Sequence, residues 1–410
     1  MTESQFREIL SRLTCFFPHS EEDMFTEYLP LKAEISVTKE PVAWEDRDKL
    51  SYKPLEEGTA WGGYWDSCWV HLTGRVPRAW GGKCVVMRLN LGGESLVFDA
   101  KGNPYGALTN HSLFDRFFTK DVFRFGKPFK GGEKIDLWVE GVASNIQGQA
   151  IFPWDPHSTR EKYPAGRSNP VACHLRLALF NDELYHFRLE FQQLLELVTR
   201  DHARGGLGKY YTRLLVNDLS KALDVYCGNP DNAAAAREAL KPAYARHAAS
   251  SALNCTAVGH AHIDVGWLWP VSETVRKVAR TYSNQLRLME RYPEYVFGGS
   301  QPQLYEFAKK HYPGLYEQVR RRIAEGRWEC QGGMWVEADN NLPSGESLIR
   351  QFLYGKNFFR DEFGVEVRNL WLPDVFGYNG NTPQIMKICG CDYFLTQKLS
   401  WNKTNAIPYN

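Results

Sequence analysis

The 410 residues exceed one small domain; at about 100–200 residues per domain they make two to four. Lys and Arg number 49 against 48 Asp and Glu, and a formal charge of +1 excludes a general basic field for nucleic acid or an anionic membrane. With 43% hydrophobic and 24% charged residues the chain is not disordered, and no apolar run reaches the ~20 residues of a spanning helix.

The N-terminus, Met1 to Glu8, is polar and acidic without the apolar stretch of a signal peptide, so the expected compartment is the cytoplasm. Nine cysteines from Cys15 to Cys391 are an odd number and do not suggest a disulfide framework. Cys389-Gly390-Cys391 has no matching pair or histidine after it and reads as buried thiols. Sequons at Asn110, Asn254 and Asn402 read as chance in a chain without a secretory signal. The 13 Trp, 20 Tyr and 23 Phe serve mainly as core, although flat rings also make platforms for sugars.

In chain order, residues 1–30 read as an N-terminal helix and linker. Phe6, Ile9, Leu10 and Leu13 fall at helical spacing, Thr2 with Gln5 forms a capping box, and the helix is expected to end near Phe17-Pro18. Residues 31–151 change to a period of two. Val85, Met87, Leu89 and Leu91 alternate with Val86, Arg88 and Asn90, and Gly-rich turns punctuate the runs, which predicts a β-sandwich. Residues 152–252 read as a helical linker region. One apolar stripe is Leu184, Phe187, Phe191, Leu194, Leu195 and Val198; a second is Tyr211, Leu215, Leu219, Ala222 and Tyr226, with Gly205-Gly206 between them.

From 253 to 410 the pattern is β-loop-α. Strands are expected at Cys255–Val258, Tyr295–Phe297, Arg327–Cys330, Asn369–Leu372 and Tyr393–Thr396, with helices between them. Repeated units of this kind imply parallel strands with the site at their carboxyl ends. Those ends carry His260, His262, Asp264 and Trp267 after the first strand, Glu337 and Asp339 after the third, and Asp374 and Phe376 after the fourth. The H-x-D pair His262/Asp264 puts imidazole and carboxylate on one side of an extended turn, suited to Zn²⁺ at about 2.0–2.2 Å, and Asp374 would be a third ligand. The alternative is a hydrogen-bonded His/Asp loop that only orders the rim. His260 reads as support behind the ligands.

Gly259–Trp267 resembles the H-x-D-x-G-W signature of glycoside hydrolase family 38, the class II α-mannosidases. Gly332-Gly333-Met334-Trp335-Val336-Glu337, Asn341–Glu346, Trp371–Tyr378 and Phe394–Trp401 resemble the cytosolic branch of that family. The resemblance implies a multidomain protein ending in an incomplete (β/α) barrel of the seven-stranded glycosidase type. It implies a retaining α-mannosidase acting on terminal α-linked mannose of oligosaccharides, with one divalent metal, zinc first and cobalt second. Carried over, His262, Asp264 and Asp374 are metal ligands, Asp374 is also the nucleophile, Trp267 stacks on the sugar and Phe376 lies close to it. Glu337 and Asp339 are expected to position substrate or loops. A further histidine ligand and the acid/base are expected beyond Asn410, the chain being an N-terminal portion. A metal-dependent carbohydrate deacetylase and a non-catalytic sugar-binding fragment are the competing readings. No nucleic-acid or membrane partner is expected, and a homo-oligomer is left open.

Overall fold

The computed structural model describes residues 3–63, 65–110, 119–144, 170–204, 208–247, 250, 252–267 and 269–401. Thr2 of the expected capping box, the Pro-containing stretch 152–169, Gly205-Gly206 and Asn402 lie outside them. The N-terminal helix α1 (Glu3–Thr14) is followed by the short α2 (Phe16–Ser20), so Pro18 lies within a new helical turn rather than after the last one.

The sandwich strands are β1 (Phe25–Pro30), β2 (Lys32–Thr38), β3 (Lys53–Pro54), β4 (Ser67–Arg75), β5 (Val85–Asn90), β6 (Glu94–Phe98), β7 (Pro104–Leu108), β8 (Val122–Arg124), β9 (Lys134–Val142) and β10 (His174–Phe180). They form two antiparallel sheets, of order β1-β10-β5-β8 and β3-β2-β4-β9-β6-β7. The four-stranded sheet thus takes β1 and β10 from outside the 31–151 stretch. In β10 the leucines 175, 177 and 179 alternate, and the strand pairs with β5, some 85 residues earlier in the chain.

Val85, Met87 and Leu89 point between the sheets with Val70, Leu72 and Val139, but the opposite face of β5 is buried too. Val86, Ala178 and Phe180 lie under the helices α3 (Asp182–Arg204), α4 (Gly208–Tyr226) and α5 (Ala233–Tyr244). The α3 stripe from Leu184 to Val198 is entirely buried there; in the α4 stripe Tyr211 is exposed and the rest is buried.

The outer face of the six-stranded sheet is no free surface either. Trp69, Leu96, Phe98 and Ala107 pack with Val278, Tyr282 and Leu286 of α6 (Val271–Arg291), which begins the C-terminal half. Charges are buried at this junction. Glu273 is fully buried and pairs with Arg276 at 2.6 Å and with Arg280. Arg276 Nη1 donates to Ser67 Oγ at 2.8 Å and lies 3.6 Å from Glu140; Glu94 lies 2.7 Å from Arg280 and 2.8 Å from Lys277. Burial works against ionising Glu94, but Arg280 and Lys277 hold its pKa down at about 2.

Five short parallel strands follow: β11 (Gly259–His260), β12 (Phe297–Ser300), β13 (Trp328–Gln331), β14 (Asn369–Leu372) and β15 (Tyr393–Thr396). β11-β12-β13 form one ladder and β14-β15 another, and Asn369 joins them by accepting from Gly333 N and Gly332 N. The helices α7 (Pro302–His311), α8 (Pro313–Ala324), α9 (Gly345–Phe363) and α10 (Thr382–Ile388) lie between or after these strands. The expected strand Cys255–Val258 is exposed irregular chain; β11 begins only at Gly259, where Phe297 offers a partner. Part of the Asn341–Glu346 motif is structural: Ser344 Oγ accepts from Ser347 N and caps α9. Cys391 is buried and Cys389 half-buried, both free thiols.

Candidate metal centre

The carboxyl ends of β11, β13 and β14 meet over His262. Its Nδ1–H donates to Glu337 Oε2 at 2.5 Å, while Nε2 lies 3.0 Å from Asp264 Oδ1 and 3.6 Å from Asp374 Oδ2. One ligand atom each from His262, Asp264 and Asp374 lies within 4.8 Å of the others. All three side chains are half-buried, whereas that of Glu337 is 3% exposed.

The arrangement is held from behind. Ser300 Oγ donates to Glu337 Oε1 at 2.8 Å, so both oxygens of this carboxylate are engaged. Gln301 bridges two loops: its Nε2 donates to Ile263 O, and its Oε1 accepts from Glu337 N. It does so from a left-handed backbone, φ 61°, that a residue with a side chain adopts only at a cost in strain. His260 does not reach the ligands; its Nδ1 donates to Gly298 O and its Nε2 accepts from Trp371 Nε1, tying β11 to β12 and β14. Asp339 caps its own loop by accepting from Asn341 N and Leu342 N.

Asp374 is anchored by a residue that sequence reasoning left without a role. Lys398 Nζ lies 2.8 Å from Asp374 Oδ1, and sits 3.7 Å from the centroid of Trp401 and 4.9 Å from that of Phe376. Phe376 is 76% exposed beside Trp401. Trp267 is 41% exposed and meets Trp269 edge-on. The structure therefore brings His262, Asp264 and Asp374 together, sets Phe376 beside Lys398, and gives Trp267 a ring partner in Trp269. Lys398 and Trp401 stood in the Phe394–Trp401 motif, but nothing local marks a lysine that pairs 24 residues back.

Burial disfavours charge on His262, yet Asp264 and Glu337 hold its pKa up at about 10. Three carboxylates against one lysine leave two uncompensated negative charges once the imidazole is neutral, a match for a divalent cation. With Nδ1–H committed to Glu337, the free lone pair is on Nε2, facing Asp264 and Asp374. The donor set, one imidazole nitrogen and two carboxylates, fits zinc or a similar metal.

Gly377 sets the Asp374 loop against the Asp339 loop. A Cβ on it would stand 1.9 Å from Asp339 Oδ1 and 2.8 Å from Asn341 Cβ. Gly377→Ala is expected to push these loops apart and lower zinc affinity about 10-fold or more with little change in circular dichroism, as a competition titration against a zinc dye would record.

Residues 252–410 match the Glycosyl hydrolases family 38 N-terminal domain, and residues 29–165 match the Alpha-mannosidase, jelly roll domain. Residues 252–410 thus form a family 38 N-terminal domain, and residues 29–165 a jelly-roll domain of the α-mannosidase type. Among curated proteins it is 34% identical to Alpha-mannosidase 2C1 of Homo sapiens over 91% of this chain and 35% of that protein. It is 32% identical to Alpha-mannosidase G of Dictyostelium discoideum over 93% of this chain and 34% of that protein. Alpha-mannosidase of Saccharomyces cerevisiae is 46% identical over 38% of this chain and 15% of its own length. The chain spans about a third of the length of the first two relatives. Among the described residues no helix is long and apolar enough to cross a membrane.

Proposed function

We propose that this chain supplies the metal-binding and nucleophile half of a retaining α-mannosidase that removes terminal α-linked mannose from oligosaccharides in the cytoplasm. The convergence of His262, Asp264 and Asp374 on one point carries the reading. The family and the names of the relatives support the substrate. In this reading β11 to β15 are five strands of a seven-stranded barrel. Both outer edges expose apolar side chains, Val258 before β11 and Tyr393, Phe394 and Leu395 on β15, in keeping with further strands covering them.

His262 Nε2, Asp264 and Asp374 would hold the metal, which when bound engages neighbouring sugar hydroxyls and polarises them. Asp374 attacks the anomeric carbon as the glycosidic bond breaks, the leaving oxygen taking a proton from an acid/base carboxyl outside these residues, and mannose stays joined to Asp374 as an ester; the same carboxyl then takes a proton from the water that releases the sugar with retention. Lys398 holds Asp374 Oδ1 and fixes the rotamer of the carboxylate. Glu337 orients His262 and, with both oxygens engaged, is not free to exchange a proton with a leaving group.

The experiment is metal analysis with methyl α-mannoside titration of the zinc-loaded protein. Stoichiometric zinc and zinc-dependent sugar binding are expected, both lost in His262→Ala; equal zinc retention by that variant would remove the reading. Glu337→Gln, which weakens the acceptor for His262 Nδ1–H, is expected to lower zinc affinity about 10–100-fold, measurable by dye competition.

Metal binding is also expected to depend on pH. The metal must displace the Nε2 proton, so log affinity should rise by about one per pH unit until about pH 10 and then level off. The metal-free protein has the opposite trend. The raised pKa of His262 contributes stability that is complete below its ordinary pKa of 6.5 and is lost as pH rises through about 10. Zinc titrations across this range, with denaturation of the metal-free protein, check both signs.

A further inference from the structure

Beside the metal centre lies a cavity of about 310 Å³, between the jelly roll and α6. That volume is at the low end of ligand pockets. Glu94, Thr109 and Lys120 come from the jelly-roll side; Trp269, Thr281 and Asn284 come from the C-terminal half, and His262 forms part of the same wall. Whatever fills this space lies next to the metal-ligating imidazole.

The charges lining it are paired, with one exception. Glu94 takes both Lys277 and Arg280, and Arg280 also takes Glu273. Lys120 makes no ion pair among the described residues, and burial alone pushes its pKa down to about 8. An ammonium sequestered without a partner is costly, so its place in the wall calls for a ligand that repays the desolvation. Asn284 spends its side-chain oxygen on Ala107 N, and among the described residues neither its NH₂ group nor the Thr281 hydroxyl has a hydrogen-bond partner. The uncommitted groups are thus mostly donors, beside the indole of Trp269. No carboxylate in the wall is free, since Glu94 already carries two cations.

We infer that the cavity between the jelly roll and α6 is a subsite for a second sugar unit of the oligosaccharide, whose oxygens accept from Lys120 and Asn284 while its apolar face lies along Trp269. The inference rests on the proposed function and extends it: the substrate is an oligosaccharide recognised by both domains, and the jelly roll takes part in recognition.

The test compares binding of methyl α-mannoside with binding of a panel of α-linked mannobioses to the zinc-loaded protein by calorimetry. A hydrogen bond from a charged donor corresponds to about tenfold or more in affinity. At least one mannobiose is expected to bind about tenfold tighter than methyl α-mannoside, and Lys120→Met to bring that ratio close to one. In the unaltered protein the same mannobiose should protect Lys120 from amine acylation, read by peptide mass mapping, which keeps the test independent of how well the variant folds. If methyl α-mannoside binds but no mannobiose binds more tightly or protects Lys120, the subsite is refuted and the proposed function stands. If neither sugar binds, both fall. Lys120-dependent binding of inorganic phosphate without a mannobiose preference would make the cavity an anion site and overturn the sugar assignment.

Discussion

On the proposed reading, and in a protein that also carries the acid/base residue, Asp374→Ala is expected to lower turnover of an aryl α-mannoside by about 10⁴-fold or more, the scale seen when an attacking nucleophile is removed. It is also expected to weaken zinc binding beyond the about 10–100-fold that follows loss of a supporting residue. Both losses come from one carboxylate, because Oδ2 faces His262 Nε2 while Oδ1 is held by Lys398. Asp374→Asn separates the roles. The amide keeps an oxygen that can coordinate but is no nucleophile, so turnover should fall as far while zinc is partly retained. A variant lacking the carboxylate yet turning over normally would show that another group attacks the sugar.

The largest expected effect on stability lies away from the site. Glu273 is fully buried between Arg276 and Arg280, where the jelly roll meets α6. Glu273→Gln leaves two guanidinium groups competing for Glu94 and Glu140, and removing one partner of a buried pair costs about 3–5 kcal/mol. Urea denaturation is expected to show a lower midpoint and an unfolding free energy reduced by that amount. A Glu273→Leu/Arg280→Leu double variant should recover part of it, because it removes charge on both sides. Equal midpoints for Glu273→Gln and the parent would mean that these charges are hydrated rather than buried. Glu94 adds a pH signature: its pKa is lowered, so its contribution is complete above about pH 4.5 and lost as pH falls through about 2.

What the sequence displays depends on how local each feature is. The α3 stripe from Leu184 to Val198 is legible because it repeats along one helix face, and all six residues are buried. Strands β14 and β15 are legible because apolar runs stand between clear breakers. The Cys255–Val258 stretch also reads as an apolar run but pairs with no strand among the described residues, and hydropathy cannot report pairing. β10 carries a visible alternation of leucines, yet only its pairing with β1 and β5 places it in the sandwich, and those partners are distant in sequence.

The candidate site divides the same way. His262 and Asp264 stand two residues apart and announce their chemistry, and Asp374 is found through its strand end. Glu337, which orients His262 across 75 residues, and Lys398, which holds Asp374, are defined by contacts that no spacing reveals. The ionic junction of Glu94 and Glu140 with Arg276 and Arg280 of α6 is likewise assembled from separate domains.

The most direct measurement is anomalous X-ray diffraction at the zinc edge from crystals of the zinc-loaded chain. The expected result is one strong peak about 2.0–2.2 Å from His262 Nε2 and from oxygens of Asp264 and Asp374. No peak among these side chains, or zinc held elsewhere with His262 still bridging Asp264 and Glu337, would contradict the account.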